Sequence, residues 1–173
     1  MLYSQKVGNS CRFDSYLGHQ KGYRLKKEYR TAIKRNKLSR PAKKLLELSA
    51  LHKMDIILDY GCGKEDDVIN LKLDYNIRGY DPHWKNDKEA LNKKYSCILC
   101  TYVLCVVDKK TRMNIIDSIL SLLVKNGVAY ISVRRDIKKD RVSKTGSKQY
   151  AVKLDFPVFY ENSAYCIYEL KNN

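Results

Sequence analysis

Hydrophobic and polar positions follow two regimes along the chain. Up to about residue 55 they keep a helical spacing on a basic background. Tyr23–Lys37 sets Leu25, Tyr29 and Ile33 four residues apart, a narrow apolar stripe that predicts a basic helix. Ser39 before Arg40-Pro41 predicts a helix start, with Ser as the N-cap and Pro just inside. That helix should run from Pro41 to about Leu51 and bury Ala42, Leu45, Leu46 and Leu48. After Asp55 short apolar runs alternate with helical spacing. Ile56–Tyr60, Ile77–Asp81, Ser96–Val107 and Val128–Val133 read as strands. Glu65–Leu73 and Lys110–Val124 read as helices, the second stopped at Gly127. Phe156–Tyr160 and Tyr165–Leu170 read as a hairpin.

Alternating strands and helices imply βαβ units and a mostly parallel sheet. The expected architecture is an α/β, Rossmann-like three-layer sandwich with an antiparallel C-terminal hairpin at one edge. Only Pro82–Tyr95 separate the second strand from the third run, so the usual third strand and its helix are expected to be reduced to a turn. Residues 1–40 read as a basic helical N-terminal extension and 41–173 as the domain proper.

Composition sharpens this picture in three ways. The 173 residues suit one domain. Lys and Arg number 34 against 19 Asp and Glu, a net charge of +15, and Met1–Lys53 alone holds 14 against 3. A field of that sign attracts polyanions, so nucleic acid is the expected partner. No apolar run approaches the ~18 residues of a membrane span, and the N-terminus lacks an apolar signal segment, so a cytoplasmic location is expected. Of the six cysteines, Cys97 and Cys100 form C-x-x-C inside a strand-like run, where residues three apart face opposite sides. With no further ligands at metal spacing, packing is the expected role of these thiols and no metal is expected.

The candidate chemistry gathers in Asp59-Tyr60-Gly61-Cys62-Gly63, directly after the first strand. Glycines there permit a tight turn and close approach of the backbone to a ligand. The crevice at the carboxyl ends of parallel strands is the usual ligand site of such sheets. Asp81 ends the second strand, where a carboxylate can accept both hydroxyls of a ribose. The third glycine of a dinucleotide fingerprint is replaced by Asp66, and Glu65-Asp66-Asp67 make the loop anionic. That sign is poor for a pyrophosphate and suits a ligand carrying positive charge, such as the sulfonium and amino group of S-adenosylmethionine.

Ile57–Gly63 resembles motif I of the class I S-adenosylmethionine-dependent methyltransferases. Asp59–Gly63, Asp66-Asp67-Val68, Gly79-Tyr80-Asp81-Pro82, Tyr29–Ile33 and Leu38-Ser39-Arg40-Pro41 together resemble a narrower group, the DNA phosphorothioation-associated methyltransferases. The resemblance implies a cofactor site at Asp59, Gly61, Gly63 and Asp81, to which Cys62, Pro82, Trp84 and Tyr102 are added as neighbours. Trp84 is a candidate to stack on adenine, and His83 stands at the rim. Thr101-Tyr102-Val103-Leu104 occupies the place of motif IV, yet neither an Asp/Asn-Pro-Pro-aromatic tetrapeptide nor a Pro-Cys pair occurs. Tyr102 and Arg30 are the candidate catalytic residues. Arg30, Lys34, Arg35, Arg134 and Arg135 are the candidate nucleic-acid contacts, because guanidinium forks match phosphate geometry. Two alternatives stay open: a small-molecule methyltransferase lidded by its N-terminal arm, and a non-catalytic binding protein of the same fold.

Overall fold

The computed structural model describes residues 27–144 and 146–172. Six strands form one sheet in the order β2-β1-β3-β4-β8-β7: β1 is Ile56–Tyr60, β2 Asn76–Tyr80, β3 Tyr95–Thr101, β4 Leu123–Arg134, β7 Val158–Glu161 and β8 Tyr165–Lys171. β1 pairs in parallel with β2 and β3, and β3 with β4; β8 runs antiparallel to both of its neighbours. Two short strands, β5 (Arg141–Val142) and β6 (Lys148–Gln149), form a separate pair. The helices are α1 (Arg40–Glu47), α2 (Asp66–Leu71) and α3 (Lys109–Leu122).

Strand alternation decides which side each residue buries. Ile57, Cys97, Leu99, Tyr130 and Ile167 face a core shared with Leu45 of α1 and Leu71 of α2. Leu58, Ile98, Cys100, Ala129, Ile131 and Cys166 face the opposite core with Ile116, Ile119 and Leu122 of α3. Cys97 and Cys100 therefore lie in different cores and cannot share an ion. Both thiols are pushed far up by burial, so they act as packing groups.

No third parallel strand lies beyond β2 among the described residues. After β2 come a bridge between Asp81 and Lys85 and a 3-10 turn, Lys88–Asn92, whose Ala90 is buried. Ser39 caps α1 as expected, its Oγ accepting from Ala42 N at 3.2 Å. The helix ends at Glu47, four residues before Leu51, since Leu48 already leaves it and is exposed.

The basic helix expected over Tyr23–Lys37 is not observed in its described part. Lys27–Thr31 form a single 3-10 turn, residues 32–39 are irregular, and Ile33 is 75% exposed. Leu25 lies outside the described residues. An apolar stripe only three residues long offers too little burial to hold a helix. What holds this segment is polar and lies at the site.

Candidate active site

The loop after β1 turns through three left-handed residues, Gly61 (φ 80°), Gly63 (φ 53°) and Glu65 (φ 62°). Gly61 N and Cys62 N both donate to the carbonyl of Tyr80, at 2.7 and 3.1 Å, which ties the loop to the end of β2. Two other segments press on its glycines. A Cβ on Gly61 would stand 2.3 Å from Val103 Cγ2, in the 3-10 turn Val103–Cys105 that follows β3. A Cβ on Gly63 would stand 3.1 Å from Cβ of Ala32. The Asp81 carboxylate completes the frame: Oδ2 accepts from Gly63 N at 3.1 Å, and Oδ1 accepts from His83 N and Trp84 N, each at 2.9 Å. A carboxylate offers about four lone-pair sites, so one remains for a ligand hydroxyl.

The chain before α1 is fastened across this loop by the first turn of α2. Asp66 Oδ2 accepts from Arg35 N at 2.9 Å, and Asp66 Oδ1 meets Lys34 Nζ at 2.7 Å. Asp67 Oδ1 accepts from Ser39 N at 2.6 Å, and Asp67 Oδ2 lies 3.5 Å from Arg35 Nη2. Burial pushes the Asp66 carboxyl up, but the bonds from Lys34 and the Arg35 backbone outweigh it and hold the group below the usual carboxylate range. The expectation that Asp66 and Asp67 present negative charge to a cationic ligand is thus corrected. Buried carboxylates take the nearest cations and amides, and the chain supplies its own. Lys34 and Arg35, expected on nucleic acid, are engaged here.

Farther along, Tyr29 stacks on His83 with ring centroids 4.0 Å apart, and its carbonyl accepts from Trp84 Nε1 at 3.1 Å. Lys64 Nζ stands 4.8 Å from the Trp84 ring centre. Trp84 is therefore held by the same segment, Pro82 is exposed in the turn beside it, and Arg30 is exposed with its guanidinium 5.8 Å from the Tyr29 ring centre.

Beneath this cover are polar atoms with no partner among the described residues. Asp59 is 3% exposed, near the end of β1. Burial, with Asp67 and Asp81 adding to it, raises this carboxyl well above its ordinary range, against the opposing pull of Arg35. Arg35 Nε and Ser132 Oγ are buried and unbonded. Such groups cost about 1–3 kcal/mol each when left unmet; Arg78 Nη1 and Arg112 Nε are two more, elsewhere in the fold. Tyr102 stands beside Ser132. Its backbone is left-handed (φ 63°), and its N–H donates to Ser132 O at 2.9 Å. Strain of this kind in a non-glycine residue is characteristic of functional turns. Burial pushes its phenol up to about 12; Tyr165, Arg40 and Arg134 are among its charged and titratable neighbours.

Residues 25–161 match the model of a methyltransferase domain. The chain belongs to the methyltransferase domain family. No curated protein matches the sequence. Among solved structures the chain is similar to TehB from Haemophilus influenzae, at 12% identity and a TM-score of 0.47 over 76% of this chain and 62% of that one. It is also similar to coclaurine N-methyltransferase bound to N-methylheliamine and SAH, at 12% identity and a TM-score of 0.40 over 60% and 40%. The chain thus spans about three fifths of the length of TehB.

S-adenosylmethionine is the cofactor of such a domain, and the orphaned atoms fit it. The buried Asp59 carboxylate suits the ammonium of the methionine part, the unbonded Arg35 Nε suits its carboxylate, and Asp81 retains capacity for a ribose hydroxyl. Of the residues the sequence pointed to, Asp59, Gly61, Gly63 and Asp81 come together at the loop that follows β1. Cys62 turns its side chain away: a Cβ on Gly79 would meet its Sγ at 2.8 Å, and burial pushes the thiol far up. Tyr102 and Arg30 are not brought together, since Arg30 stands over Tyr29 and Tyr102 faces Arg40 and Arg134. Arg134 is held in a fork by Asp136, with Nε 2.8 Å from Oδ1, and Arg135 pairs with Glu161. Sequence reading missed Arg40 and Ser132. Ser132 does carry a signal, as a polar residue in the otherwise apolar run Val128–Val133; Arg40, read as a helix start, carries none.

Proposed function

We propose that the protein is an S-adenosylmethionine-dependent methyltransferase acting on a small molecule, with residues 27–39 as the cover of its crevice. The observation that carries this reading is the buried Asp59 carboxylate and the buried, unbonded Arg35 Nε beside the Asp81-braced glycine loop. When bound, S-adenosylmethionine supplies an electrophilic methyl group, and its sulfonium becomes a neutral thioether as the acceptor takes that group. Asp59 and Arg35 orient the two charged ends of the methionine part, and Asp81 holds the ribose. Tyr102 keeps its proton at neutral pH and serves as a hydrogen-bonding group that positions the acceptor. The cover excludes water from the transfer. Calorimetric titration with S-adenosylhomocysteine tests the cofactor site. Micromolar binding by the wild type, lost by a hundredfold or more in Asp81→Ala, is expected, on the order of 3 kcal/mol for a charged acceptor removed from a built site. Absence of binding by the wild type overturns the reading.

A second reading, in which the acceptor is nucleic acid, is favoured by the charge. The first 53 residues carry 14 Lys and Arg against 3 Asp and Glu, and residues 134–148 carry 7 against 2. The narrower resemblance, to the phosphorothioation-associated group, belongs with this reading. It predicts a gel shift with DNA or RNA at ~50 mM salt that fades by ~200 mM, together with transfer of labelled methyl to the polymer. Label found only in small-molecule fractions of a cell extract speaks for the first reading.

A further inference from the structure

The second basic region lies at the other end of the same strand edge and is concave. Between the ends of β4 and β8 and the excursion that follows β4 lies a cavity of about 350 Å³. That is the size of a small-ligand site. Arg134, Arg135, Lys138 and Lys153 line it. Its other lining includes Ile137, Val152 and Tyr168, all buried in the core on the α3 side.

The charges do not cancel. Asp136 takes Nε and Nη2 of Arg134, and Glu161 takes Nη1 of Arg135. A guanidinium has five N–H donors, so each fork is oriented by its carboxylate and keeps donors to spare. Lys138 and Lys153 have no carboxylate partner among the described residues. Two oriented guanidinium groups and two unpaired ammonium groups around one hollow match a dianion, and the apolar floor matches an organic body attached to it.

The hollow also adjoins the transfer site. Arg134 N donates to Cys105 Sγ at 3.2 Å and Tyr150 N donates to Cys105 O at 2.8 Å, so both sides of the excursion are fastened to the turn that follows Tyr102. We propose that this cavity binds the phosphate of a phosphorylated small molecule, and that this molecule is the methyl acceptor. Only the second clause rests on the proposed activity; the binding site stands without it.

The test is calorimetry with phenyl phosphate, inorganic phosphate and a short single-stranded oligonucleotide, on the wild type, on the double variant Lys138→Ala/Lys153→Ala and on Asp81→Ala. The wild type should bind phenyl phosphate more tightly than inorganic phosphate. The double variant should lose about tenfold or more in that affinity, as expected when two cations facing one dianion are removed, while its affinity for S-adenosylhomocysteine is unchanged. Asp81→Ala should keep phenyl phosphate and lose S-adenosylhomocysteine, which separates failure of the cofactor reading from failure of this one. The proposal is overturned by no phenyl phosphate binding, or by equal binding in the double variant. Oligonucleotide binding that the double variant loses, without phenyl phosphate binding, overturns it in favour of a polymer.

Discussion

The two ends of the carboxyl edge of the sheet treat charge in opposite ways. At the β1–β2 end the carboxylates lie inward and find cations on the segment just before α1: Asp66 with Lys34, and Asp67 with Arg35 and the amide of Ser39. At the β4–β8 end the cations outnumber their partners, and Lys138 and Lys153 line an open hollow unpaired. One end spends its charges on holding the chain together, and the other keeps them for something outside it. Net charge summed over the chain hides this difference, because the most basic segment is partly neutralised by the fold itself.

The closed end can be broken most severely through its packing. Gly61→Ala brings a Cβ to 2.3 Å from Val103 and a side chain to φ 80°. A loss of about 3 kcal/mol is expected from combined overpacking and left-handed strain, read as a drop in the urea midpoint. Gly61→Ala/Val103→Ala should recover the steric part relative to Val103→Ala alone; no recovery would mean that Val103 does not press on the loop. Asp67→Ala comes next. It leaves the Ser39 amide unmet beneath the arm, at a cost of about 1–3 kcal/mol, and should speed proteolytic cutting between residues 27 and 39. Unchanged cutting would show that charge does not hold the segment.

The two acids of this end have opposite pH signatures. Asp66 is held below its unfolded value, so its contribution is present above about pH 4 and is lost as pH falls through the folded value. Asp59 is raised, so its contribution is present below about pH 4 and is lost as pH rises through the folded value. Asp59→Asn should therefore melt at or above the wild-type temperature at neutral pH while binding S-adenosylhomocysteine less tightly. A lower melting temperature would mean that the carboxylate is paired in the resting protein. The smallest effect expected is that of Trp84→Phe, which removes the bond from Nε1 to Tyr29 O on an exposed face. It should cost about 1 kcal/mol or less, seen in faster hydrogen exchange near Tyr29 rather than in global stability.

Much of this architecture was legible in the sequence because it follows from periodicity. The four main parallel strands, the reduced connection after Asp81, the Ser39 cap and the division of Cys97 from Cys100 all follow from spacing and turn residues. The glycine loop and Asp81 were legible because their chemistry is local. Three features were not. The fate of Asp66 and Asp67 depends on a segment about thirty residues upstream, and no local pattern reports such a pairing. The helix expected over Tyr23–Lys37 gave way, in its described part, to a 3-10 turn and irregular chain, because propensity without an apolar face yields to tertiary hydrogen bonds. The hollow at the β4–β8 end needs Arg134 and Lys153 brought together across the excursion, and sequence separation conceals that.

The division of the cysteines also gives the protein internal clocks. Among the described residues five thiols are buried and free: Cys62 in the glycine loop, Cys97 in one core, Cys100 and Cys105 in the other, and Cys166 in the wall of the basic hollow. None is reactive until its own surroundings open. The rate at which each is alkylated in the native protein therefore times the opening of one named region. A ligand that tightens a single end of the sheet will slow one label and leave the others running.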